Sequence, residues 1–232
     1  RWNMDFEHYK LSDLENHIAW EHFSEAKELL ESIMDKKIIA FRAGGFSLQS
    51  FEGYSDLLVK NNIKIDSSVA PGKVSKSKYQ WYDYKNIPLH KYKFSEDIKQ
   101  ISDEGEITEI PISVVKYNPF HYAFLRKKIE LKNSFILFSE GQVINAIEPR
   151  CVRYKNLLKQ FFFPKIVSAS IDEYLSALLP EIFSKYKKMN KKWDFIIIGH
   201  PKLASPRSLY FIEKFIKQTI GSNQYVTIEN LL

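Results

Sequence analysis

Three short polar stretches each follow an apolar run: Phe41-Arg42-Ala43-Gly44-Gly45, Asp66-Ser67-Ser68 and Gly199-His200-Pro201. Arg42 offers a permanently charged fork of donors that suits a carboxylate. Gly44 and Gly45 let a backbone approach a ligand closely or turn tightly. Asp66 can orient a histidine, receive a sugar hydroxyl or cap its loop, with Ser67 and Ser68 beside it. His200 can act as general acid or base near neutrality. Each also has a plain structural use: a salt bridge, a turn, a loop cap, a core-edge histidine. His8, His17, His22, His90 and His121 show no metal spacing, since His17 and His22 are five apart rather than the four that share a helix face. No phosphate-cradling loop or nucleophile elbow is present. Cys151 is the single cysteine, which excludes an intrachain disulfide and a thiol-only metal site.

The elements that must position these residues follow from periodicity. Phe23, Ala26, Leu29, Leu30 and Ile33 predict a helix over about Ser24–Met34. Ile38–Phe41 reads as a buried strand. Ser47 then caps a helix whose inner face carries Leu48, Phe51, Leu57 and Leu58. Asn61-Asn62 ends it, and Ile63–Ile65 is the next strand. Strand, helix, strand is the grammar of a parallel sheet, where ligands meet the loops at strand C-termini. Residues 70–106 read as a long insertion with an aromatic cluster, Tyr79, Trp81, Tyr82 and Tyr84. Ile107–Val115 reads as a strand in which Pro111 marks an edge or an end. Residues 117–165 form a second long insertion, with a helix over Phe120–Leu131. A further helix runs from Ile171 to about Lys187 behind Ser170. Trp193–Ile198 predicts a strong buried strand. Ser205-Pro206 opens a last helix with Leu209, Ile212, Ile216 and Ile220 on one face, stopped at Gly221. Tyr225–Ile228 predicts a final strand.

The 232 residues suit one domain carrying these insertions. An apolar share of 44% supplies a core, and a charged share of 27% argues against disorder. The net charge of +6 is scattered. Its densest cluster, Lys185, Lys187, Lys188, Lys191 and Lys192, sits where a helix dipole welcomes cations, so nucleic-acid binding is not expected. No run reaches the roughly 18 apolar residues of a membrane span, and no signal peptide is visible.

Several stretches together resemble the polysaccharide deacetylase family of metal-dependent carbohydrate esterases. Phe41–Ser47 (FRAGGFS) is similar to its third motif and Ile63–Val69 (IKIDSSV) to the region of its fourth. Ile107–Ser113 (ITEIPIS) resembles a strand the family carries next, Ile198–Pro201 (IGHP) its fifth motif, and Val226–Ile228 before Glu229 its last strand. The resemblance implies an α/β fold, a distorted (β/α) barrel of the polysaccharide deacetylase type that is incomplete at its N-terminus. It implies a hydrolase that removes N- or O-acetyl groups from a bacterial cell-surface polysaccharide or its sugar precursor. Arg42 would orient a catalytic aspartate, His200 would be the general acid, and Asp66 would stand beside them. Gly44, Gly45, Ser67, Ser68, Trp81 and Tyr84 would meet the acetylated carbohydrate. The family's paired aspartates and metal-binding histidines are not found here. The expectation is that they lie upstream of Arg1, so that this chain is the C-terminal two-thirds of the domain. A divalent metal, zinc by resemblance, would then belong to the intact parent, and the chain alone would be inactive. A non-catalytic glycan-binding homologue of the same fold is the alternative, and an unrelated α/β hydrolase or transferase a third. Location is open between cytoplasm and envelope, with the cytoplasm slightly favoured, and nothing indicates an oligomeric state.

Overall fold

A computed structural model describes residues 16–46, 48, 53–76, 80–132, 163–189, 194–200 and 203–232. Ser47, Phe51, Tyr79, Trp193, Pro201, Lys191, Lys192, Cys151 and the first fifteen residues lie outside that set, as does most of the second insertion. Sequence reading gives one domain. The chain divides into two compact units, one of Arg1–Ile112 with Val226–Leu232, the other of Ser113–Tyr225. No helix among the described residues is long and apolar enough to cross a membrane.

In the first unit, helix α1 spans Asn16–Met34 and so begins before Ser24. Ala19 is buried and Trp20 and Phe23 pack on the core, whereas Leu29, Leu30, Ile33 and Met34 are exposed, so only the first half of its apolar stripe faces inward. Strand β1 (Ala40–Phe41) leads to helix α2 (Tyr54–Lys60) and strand β2 (Ile65–Asp66). Gly53, at φ +76°, opens α2. Only glycine adopts that conformation without strain, so the helix starts there, beyond Ser47. The first insertion folds as strands β3 (Val74–Lys76), β4 (Trp81–Asp83) and β5 (Tyr92–Phe94). Strand β6 (Ile107–Glu109) completes the unit. The sheet order is β1-β2-β6-β5, with β1, β2 and β6 parallel and β5 antiparallel, and β3 pairs β4 as a separate hairpin. Strand β6 is therefore interior, and Pro111 lies just past its end, where a missing N–H removes no ladder bond. Burial is deepest on Tyr54, Leu57, Leu58, Tyr84, Phe94 and Ile107, with the Tyr54 and Phe94 rings stacked at 6.3 Å.

In the second unit, strand β7 (Val114–Tyr117) pairs antiparallel with strand β8 (Lys165–Ser168). Helices α3 (Pro119–Lys132), α4 (Glu173–Met189) and α5 (Pro206–Thr219) accompany them. Val115, Tyr117, Val167, Leu178, Leu179, Ile182 and Phe215 form the core. The expected strand at Trp193–Ile198 is not regular within its described part. Phe195, Ile196 and Ile197 are half-buried, and one parallel bridge links Ser170 with Ile198. Ser205 caps α5 as its sequence indicates, with Ser208 returning the bond to the Ser205 backbone and Pro206 at the first helical position. The buried side of α5 is Ser208 and Phe215, while Leu209 and Ile220 are exposed, so the expected stripe is rotated. Tyr225–Ile228, where the chain passes back to the first unit, forms no strand, and Ile228–Leu231 of that first unit is a short 3-10 turn.

Candidate functional site

Parallel pairing of β1 with β2 puts Phe41 opposite Asp66, and pairing of β2 with β6 puts Asp66 opposite Glu109. The polar residues that follow each strand therefore emerge together. Arg42 donates from Nε to the Ser67 carbonyl at 2.8 Å and from Nη2 to Ser67 Oγ at 3.1 Å. Arg42 remains an exposed residue, so a guanidinium held at one edge can present its other donors to a ligand. Ser67 Oγ donates onward to the Ile110 carbonyl at 2.8 Å. Ala43 N donates to Ser68 Oγ at 2.9 Å, and Ser68 Oγ donates to Asp66 Oδ1. Tyr54 OH donates to Asp66 Oδ2 at 2.9 Å. Gly45 has φ +62°, the left-handed turn that a glycine accepts without strain, whereas Gly44 stands in open space.

Three of the residues expected to contact carbohydrate, and Asp66, expected as a catalytic residue, make their bonds within the protein. Asp66, Ser67 and Ser68 are buried, and their polar atoms bond within the protein. They brace the Arg42 loop. Tyr84 is fully buried, stacks on Tyr82 at 5.1 Å and donates its hydroxyl to the Phe46 carbonyl at 2.7 Å, so its ring offers no face to a sugar. The β3–β4 hairpin turns it inward while leaving Trp81 exposed. Among the aromatic residues expected to stack on sugar, Trp81 keeps a free surface.

In the second unit His200 has a partner that sequence reading assigned no chemistry. Asp172 Oδ1 accepts the His200 backbone N–H at 2.7 Å, and Asp172 Oδ2 lies 2.8 Å from His200 Nδ1. Ser170 Oγ donates to the same Oδ2 at 2.8 Å and accepts the Asp172 N–H at 3.1 Å. The Asp172 side chain is 10% exposed and that of His200 51%. The carboxylate thus fixes the ring at Nδ1 and leaves Nε2 toward solvent, the arrangement a proton-transfer histidine needs. Gly199 makes the approach possible, because a Cβ there would collide with Cγ1 and Cδ1 of Ile171. Ser170, expected as a simple helix cap, fixes the aspartate that precedes α4.

Three site residues were not found by reading the sequence: Tyr54, Glu109 and Asp172. Glu109 left a signal, since in Ile107-Thr108-Glu109 the carboxyl falls in phase with a buried isoleucine. Asp172 left another, a second polar residue two positions after the presumed cap. Among the described residues no group of three or more His, Cys, Asp or Glu is placed to hold a metal ion. The chain matches no family model, no curated protein and no solved structure.

Proposed function

We propose that this chain is part of a carbohydrate deacetylase, a hydrolase that cleaves N- or O-acetyl groups from a cell-surface glycan or its sugar precursor. The observation that carries the reading is the Asp172–His200 pair at the end of an apolar segment. Loss of acetate from a sugar requires a proton on the departing amine or alkoxide. A protonated imidazole anchored through Nδ1 supplies it from Nε2, with the chain restored when the ring is reprotonated from solvent. Arg42, held by Ser67 at the end of β1, supports the same reading as a charged fork able to orient a carboxylate. The strand-helix-strand start of the first unit, with its parallel pairing, supports the α/β part of the reading.

The test is acetate release from N-acetylated and O-acetylated oligosaccharides by the natural protein that carries this chain. Release is expected, with His200→Ala lowering turnover by about 10² to 10⁴-fold. Asp172→Asn is expected to lower kcat with KM little changed, because an amide does not hold the ring at Nδ1 as a carboxylate does. An unchanged kcat in Asp172→Asn would remove its positioning role. Exposed Trp81 favours a second reading, a glycan-binding homologue without catalysis. Tight oligosaccharide binding that quenches Trp81 fluorescence, without any acetate release, would establish that reading and sink the first.

A further inference from the structure

Beneath the Arg42 loop lie two carboxyl groups that no reaction step uses as a pair. Asp66 and Glu109 are register partners on adjacent parallel strands, so their side chains leave the sheet on one face. Both are 0% exposed. Two ionised carboxylates placed so, away from water, repel strongly and one takes up a proton. The hydrogen bonds identify which. Asp66 has an O–H donor on each oxygen, Tyr54 on Oδ2 and Ser68 on Oδ1, as an ionised carboxylate requires. Glu109 receives the Val69 N–H on Oε1 at 3.0 Å, while Oε2 is buried and meets no donor. Ionised, that oxygen would be an uncompensated charge. Protonated, it becomes a donor, and Asp66 is the acceptor beside it.

We propose that Glu109 carries a proton at neutral pH and shares it with Asp66, and that this proton latches the Ser67–Val69 loop against which Arg42 is held. Glu109 is thus a positioning residue. It grips the loop at Val69, Asp66 grips it at Ser68, and Ser67 passes the constraint to the guanidinium.

The surroundings fit. Burial pushes Asp66 up to about 6. Burial and then the neighbouring Asp66 push Glu109 well above the usual carboxylate range. Tyr54 from α2, Tyr84 beyond β4 and Tyr92 from β5 face the pair, and burial pushes each of them up, so all three stay neutral. Arg42 is the cation near them. Groups whose folded pKa is raised contribute stability below the unfolded value, and that contribution is lost as pH rises through the folded value. Asp66 thus has lost its contribution by about 6, where it ionises and the latch is set, and the latch fails once Glu109 ionises at higher pH.

The experiment is infrared spectroscopy with thermal unfolding of the full chain and of Glu109→Gln, whose amide copies a protonated carboxyl. A protonated-carboxyl stretch is expected to persist at neutral pH in the wild type and to vanish in the variant. The Tm of Glu109→Gln should stay within about 3 °C of wild type at neutral pH and decline less on raising the pH. Glu109→Ala, which strands the Val69 N–H, should melt lower at every pH. Asp66→Asn, which sets an amide against two O–H donors, should lose more Tm than Glu109→Gln. No such band at neutral pH overturns the proposal, and so does Glu109→Gln falling as far as Glu109→Ala. If Glu109→Gln does not fold, the wild-type band decides alone: its loss before neutral pH overturns the latch. The reverse order for Asp66→Asn and Glu109→Gln would put the proton on Asp66 and overturn the assignment.

Discussion

Each unit places a serine and an aspartate two residues apart beyond a parallel contact, in opposite order. In the first unit Ser68 donates to Asp66, and the other Asp66 oxygen receives the buried Tyr54 hydroxyl. In the second, Ser170 donates to Asp172, whose carboxylate also holds His200, and that imidazole is half exposed. The local chemistry is nearly the same. What differs is the third partner: a phenol inside the core in one case, a titratable ring at the surface in the other. Burial makes the first pair a brace, because a carboxyl that water cannot reach can only hold other groups still. Exposure makes the second pair suited to moving protons, because its ring can exchange them with solvent.

The comparison predicts a graded loss of stability. Asp66→Ala should cost most, about 3 to 5 kcal/mol, since it leaves the Tyr54 and Ser68 hydroxyls and Glu109 without an acceptor in a site closed to water. The shift in urea midpoint measures it. A loss under about 1 kcal/mol would mean that the buried pair is no brace and would erase the contrast between the units.

Asp172→Ala should cost less, about 1 to 2 kcal/mol. It frees Ser170 Oγ, which is buried, but the His200 ring has water to turn to. The same urea measurement applies. Equality with Asp66→Ala would show that exposure of the third partner is not what separates the two sites.

Much of this was legible in the sequence where the cause is local. The polar ends of β1 and β2, the parallel grammar that joins those strands, and the Ser205-Pro206 start of α5 each need only a few neighbouring residues. The missed features depend on distant pairing. Glu109 becomes Asp66's neighbour only when β6 docks on β2 across the whole first insertion. Tyr84 reads as a loop aromatic until the β3–β4 hairpin shows which side of it faces in. The apolar run ending at Ile198 carries all the marks of a buried strand, yet its described residues make one bridge, because hydrophobicity sets burial but not which edge is there to pair with. Leu209 and Ile220 share a face with Ile212 and Ile216 on a helical wheel, but α5 presents Phe215 to the core, where it meets Phe183 edge-on at 5.6 Å. One large ring sets the helix rotation over several smaller side chains.

The smallest expected change in stability belongs to His200→Ala, within about 0.5 kcal/mol of wild type. Its ring is half exposed, so little apolar area returns to water when it is removed. Its backbone N–H keeps its bond to Asp172 Oδ1, and Ser170 still donates to Oδ2, so the carboxylate is not abandoned. The same substitution carries the largest expected loss of turnover. Stability and activity should therefore run in opposite directions along Asp66, Asp172 and His200. If His200→Ala instead lowers the urea midpoint as far as Asp172→Ala does, the imidazole is a structural partner of the aspartate, and the second unit then uses its Ser–Asp pair as the first one does.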